Sequence, residues 1–72
     1  MKTKDIIKKL KDYLENDNFE ELDKLFIEVY SVEIPEEQEE KISDILDEAT
    51  LYLEFKESEY KDEALKLISE FK

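Results

Sequence analysis

The chain has 72 residues, with 22 aspartates and glutamates against 11 lysines, a formal net charge of −11, and no cysteine, histidine or glycine. That inventory excludes Ser-His-Asp and Cys-His nucleophile systems, a Cys/His zinc site and a glycine-lined phosphate loop, and its charge repels nucleic-acid phosphate. Four Tyr and four Phe within a hydrophobic content of 40% are too many for a disordered chain, even with 46% charged residues, so one small domain spanning residues 1–72 is expected, burying only ~60% of its unfolded surface.

The opening Met1-Lys2-Thr3-Lys4-Asp5 leads into just two adjacent apolar residues, Ile6 and Ile7, before Lys8 and Lys9 interrupt, which predicts no signal-peptide core. Ile6, Ile7, Leu10, Tyr13 and Leu14 then recur at helical spacing, and the pattern stops at the turn-forming Glu15-Asn16-Asp17-Asn18. Asn18 is a candidate cap for a second helix with Glu21 at the third position. Phe19, Leu22, Leu25, Phe26, Val29 and Tyr30 form its stripe, ending near Tyr30. Ser31-Val32-Glu33-Ile34-Pro35 breaks the helical pattern, because Pro35 lacks a backbone donor and pushes Ile34 toward extended geometry.

Pro35 suits the first turn of a third helix, and Glu36, Glu37, Glu39 and Glu40 place negative charge at the positive end of its dipole. Ile42, Ile45, Leu46, Ala49 and Leu53 are its expected buried stripe. Lys56-Glu57-Ser58 reads as a turn. Tyr60, Ala64, Leu67, Ile68 and Phe71 give the stripe of a fourth helix, with Lys72 at its favourable carboxyl end. Ile27 and Leu65 lie off their stripes and are expected to widen the core. Strand alternation is absent, so the prediction is an all-α fold, a compact antiparallel four-helix domain. No apolar run approaches ~18 residues, which predicts no membrane partner, and the lack of cysteine fits a cytoplasmic location.

Ser31, Ser43, Ser58 and Ser69 have no conventional base, and the Glu-x-x-His motif of di-iron bundles is missing, so neither enzymatic activity nor a cofactor or metal is expected. The six lysines of residues 1–32 are offset by eight carboxylates and read as a solvated face. Between Glu33 and Glu63, by contrast, three lysines stand against thirteen carboxylates, so this stretch carries −10 of the total −11. Such a surface costs stability through self-repulsion, so either solubility alone explains it or a cationic partner makes it worthwhile. On a helical wheel Glu37, Glu40, Asp44, Asp47 and Glu48 share one side of the third helix, opposite its apolar stripe. Carboxylates three or four apart lie ~5–6 Å from one another at Cβ, so the row reads either as an imitation of a phosphate backbone or as a solvated helix face. Leu51 and Phe55 project toward the same acidic side with Tyr52 at the boundary. They form either an apolar interface centre ringed by charge or a patch covered by the fourth helix.

The stretches Ile6-Ile7-x-x-Leu10-x-x-Tyr13-Leu14, Phe19-Glu20-Glu21-Leu22 with Phe26 and Tyr30, and Ala64-Leu65-Lys66-Leu67-Ile68-Ser69-Glu70-Phe71 resemble the self-protective colicin-like immunity family. This group of small acidic four-helix proteins is typified by the colicin D immunity protein. The resemblance implies a cytoplasmic inhibitor, of the bacteriocin-immunity or contact-dependent-inhibition kind, that neutralises a basic tRNA-cleaving toxin by occupying its RNA-binding cleft. Two other classes stay open: a phage-type nucleic-acid mimic, such as an anti-restriction or anti-CRISPR factor, and a helical assembly module, for instance a homodimer through Leu51 and Phe55.

Overall fold

Four apolar stripes become four helices in a computed structural model that describes residues 2–71: α1 (Thr3–Glu15), α2 (Phe19–Val29), α3 (Glu36–Phe55) and α4 (Ser58–Glu70). Among the described residues there is no strand. Lys72, the expected terminal cation of the last helix, lies outside them.

The turns explain how a chain without glycine reverses direction. After α1, Asp17 adopts the left-handed conformation (φ 53°). Its N–H donates to the Leu14 carbonyl at 3.4 Å, and the Asn18 N–H donates to the Tyr13 carbonyl at 2.9 Å. This is the Schellman pairing, which satisfies carbonyls that a helix end leaves orphaned, and aspartate is among the few residues with a Cβ that tolerate its positive φ. Asn18 then caps α2, its side chain accepting from the Glu21 N–H at 3.5 Å. The reciprocal arm of a capping box is absent because the Asn18 N–H is already spent on Tyr13, and Glu21 turns to Lys24 instead. Lys56 (φ 56°) ends α3 in the same left-handed region, its N–H donating to the Tyr52 carbonyl at 2.8 Å. Pro35 precedes α3, where its missing donor costs nothing, and its carbonyl accepts from the Gln38 N–H at 2.9 Å.

α3 and α4 form the most extensively packed pair, α1 and α2 the next, and the two hairpins close on each other through α1 against α4 and α2 against α3. The radius of gyration is 11.0 Å, the ~11 Å expected of a compact chain this long. Ile6, Leu10 and Leu14 of α1 are fully buried against Leu22, Leu25 and Val29 of α2, Ile45, Ala49 and Tyr52 of α3, and Ala64 and Ile68 of α4. Ala49 and Ala64 are fully buried within this core.

Leu65 packs on this core as expected, but Ile27 of α2 and Tyr30 just after it do not. Ile27 is 68% exposed, because it points away from the Leu22–Leu25–Val29 stripe, roughly 200° round the helix from Leu25 and from Val29. Tyr30 is 91% exposed. The helix has ended at Val29 and the chain bends, with the Ser31 N–H on the Glu28 carbonyl and the Val32 N–H on that of Val29. Val32 and Ile34 pack against the core instead.

Candidate partner-binding surface

α3 has 20 residues, about 30 Å of helix at 1.5 Å per residue, and the molecule's longest dimension is 30 Å. Its outward face therefore runs the length of the domain. Ile42, Ile45, Ala49 and Tyr52 turn inward. Glu37, Glu40, Asp44 and Asp47 are exposed on the opposite side, with Glu48 half-buried at its margin. From Glu37 to Glu48 the row is about 16 Å long.

Among the described residues no cation forms a salt bridge with it. Among the described residues the salt bridges are Lys24 with Glu20 and Glu21, and Lys61 with Asp17, none involving an α3 carboxylate. Like charges at i,i+4 destabilise a helix by ~0.2–0.5 kcal/mol per pair, so α3 holds the row against local repulsion by the packing of its inner face. Lys41, the one lysine inside α3, sits to the side, where it lines a cleft with Asp44, Leu67 and Phe71 next to α4.

The three residues expected beside this row have different fates. Leu51 is half-buried and does not belong to the central cluster. Phe55 is 58% exposed, and its ring lies 6.1 Å from that of Tyr60, so α4 covers one side of it and leaves the rest to solvent. Tyr52 corrects the expectation of a boundary position: it is 6% exposed, a core residue. The reason is the unequal coverage of α3. α4 packs on it more extensively than α2 does, which shifts the buried edge toward Ile45 and Tyr52 and leaves Leu46 and Leu53 half-buried.

Tyr52 joins three elements. Its hydroxyl donates to Asp17 Oδ1 at 2.5 Å, and Lys61 Nζ of α4 donates to the same oxygen at 3.0 Å. Its ring meets that of Phe19 at 5.4 Å, and Lys56 Nζ lies 5.1 Å above the Phe19 ring. The hydrogen bonds from Tyr52 and Lys61 hold the Asp17 carboxyl below its ordinary 3.8. The bond to Asp17, with burial added, pushes the Tyr52 phenol up to about 12. Nothing local in the sequence links residues 17, 52 and 61. The available signal was the need for a left-handed turn residue in a chain lacking glycine, which Asn16-Asp17-Asn18 alone supplies before α2.

Among the described residues no group of three or more Asp or Glu is arranged to hold a metal ion, and no buried side-chain polar atom lacks a hydrogen bond. Comparison with protein-family models, with curated proteins and with solved structures finds no match.

Proposed function

We propose that this domain is an acidic protein inhibitor that binds a basic protein through the outward face of α3, in the manner of an immunity protein neutralising a nuclease toxin, with a tRNA-cleaving enzyme as the first target to test. The observation that carries the reading is the exposed carboxylate row of Glu37, Glu40, Asp44 and Asp47, which makes no salt bridge among the described residues. A nuclease cleft built to take phosphates at regular spacing is complementary to carboxylates at helical spacing, and long-range attraction accelerates the encounter. The apolar residues adjoining the row contribute affinity once contact is made.

Capture of the partner from the native host on tagged protein, identified by mass spectrometry and followed by a nuclease assay with purified components, tests the proposal. A basic nuclease that loses activity on binding is the expected result. A partner without nuclease activity, or one whose binding is indifferent to salt, overturns it. The 58% exposure of Phe55 favours a second reading, a homodimer seated on that ring. A monomeric mass by sedimentation velocity ends that reading.

A further inference from the structure

We infer that the groove between the end of α2 and the middle of α3 seats a basic amphipathic segment of the protein partner: a short stretch with an aliphatic or aromatic residue flanked by lysines or arginines. The inference rests on the reading of α3 as the partner face, and it names the chemistry that sits beside the carboxylate row.

The groove exists because the chain leaves α2 at Val29 and crosses to α3 in extended form before Pro35. Val29 and Ile42 form its floor, and Val32, Ile34 and Leu46, all half-buried, form its walls. Ile42 is 1% exposed and closes the bottom of this concavity. Tyr30 stands at the edge, 91% exposed. A solitary exposed aromatic has little meaning, whereas one beside a concave apolar surface has the make-up of an interface anchor.

Charge selects the occupant. The carboxylic acids lining the groove are Glu39 and Asp47, and among the described residues no lysine lines it. Lys41 faces the other flank of α3. An acidic segment is repelled, a neutral apolar one gains burial alone, and a cationic amphipathic one gains burial together with Glu39 and Asp47. Asp47 belongs to both the groove and the row, so one partner engages both at once. A second copy of this chain, at −11, meets its own repulsion.

The test is a titration of the 15N-labelled full chain with three synthetic helical peptides: one with leucines on one face and lysines on the other, one with alanine replacing leucine, and one with glutamate replacing lysine. The leucine–lysine peptide is expected to give saturable amide shifts at Val29, Val32, Ile34 and Leu46. Tyr30→Ala, at a site too exposed to affect folding, is expected to weaken binding about tenfold, the loss of one anchor. If both lysine peptides shift only Glu40, Asp44 and Asp47, the groove proposal falls while the acidic-face reading stands. If neither shifts any α3 residue, both fall. Equal binding of the glutamate peptide overturns the charge argument, and groove shifts that appear on concentrating the protein alone overturn the proposal in favour of a second copy.

Discussion

The hydroxyl of Tyr52 on α3 donates to the carboxylate of Asp17 in the α1–α2 turn, a bond between residues 35 apart in sequence. It lies at one of the two left-handed turns, where Asp17 holds a positive φ without being glycine. The Tyr52 carbonyl, in turn, receives the N–H of Lys56, the other left-handed residue. Both left-handed turns among the described residues thus connect to Tyr52, one through its side chain and the other through its backbone. Tyr52→Phe keeps the ring in its contact with Phe19 and removes the bond to Asp17. The expected loss is about one net hydrogen bond, lowering Tm by roughly 4–8 °C in a domain of this size, measured by thermal melting followed by circular dichroism. An unchanged Tm removes the bond from the account of stability.

The same pair sets pH limits of opposite sign. The folded-state pKa of Asp17 is lowered from 3.8, so its contribution is present above that value and is lost as pH falls through the lower folded value. The pKa of Tyr52 is raised from 10.0 to about 12, so its contribution is present below 10.0 and is lost as pH rises through about 12. An absorbance titration of tyrosinate is expected to show one ring ionising late, and Tyr52→Phe to abolish that late step. A late step that survives the substitution assigns it elsewhere.

The helices were legible because their stripes repeat at helical spacing and their ends carry Asn18 and Pro35, features that depend on near neighbours in sequence. The acidic row was legible for the same reason. What periodicity cannot give is how much of a helix each neighbour covers. Tyr52 and Leu53 are consecutive, separated by ~100° on α3, and only the heavier packing of α4 decides that Tyr52 is the buried one. Tyr30 fits the α2 stripe by spacing, yet the chain bends one residue earlier. The groove escaped notice because its walls come from a loop and two helices, a juxtaposition that no single stripe encodes.

Repulsion along α3 makes stability depend on salt. No α3 carboxylate is paired among the described residues, and about 0.1 M salt shortens the screening length to ~10 Å, enough to weaken interactions along a row about 16 Å long. Moderate salt is therefore expected to raise Tm relative to low ionic strength. A constant or falling Tm in calorimetric scans counts against a concentrated acidic face.

Burial separates two apolar truncations. Leu10 is fully buried, and Leu→Ala at such a site costs ~2–5 kcal/mol, comparable to the ~3–5 kcal/mol that a core this small supplies. Leu10→Ala is expected to leave the chain largely unfolded by circular dichroism at room temperature. Phe55 is 58% exposed with one aromatic neighbour, and Phe55→Ala is expected to cost under ~1 kcal/mol. A melted Phe55→Ala variant would assign that ring to the core and remove it from any interface.

The carboxylate row makes a kinetic prediction. Replacing Glu40, Asp44 and Asp47 with Gln, Asn and Asn removes three exposed negative charges and no side-chain hydrogen bond among the described residues. Helicity is expected to survive and Tm to rise slightly as repulsion falls. Against an identified basic partner, the triple variant is expected to associate roughly tenfold more slowly at low salt, with the difference shrinking as salt is added, because steering acts on encounter through screened long-range attraction. Dissociation is expected to change less, unlike the effect of truncating an apolar anchor such as Tyr30 or Phe55, where most lost affinity appears in the off-rate. Stopped-flow association at two ionic strengths reads both quantities. An unchanged association rate at low salt reduces the row to a solvated helix face and removes the physical support for an inhibitor of a basic protein.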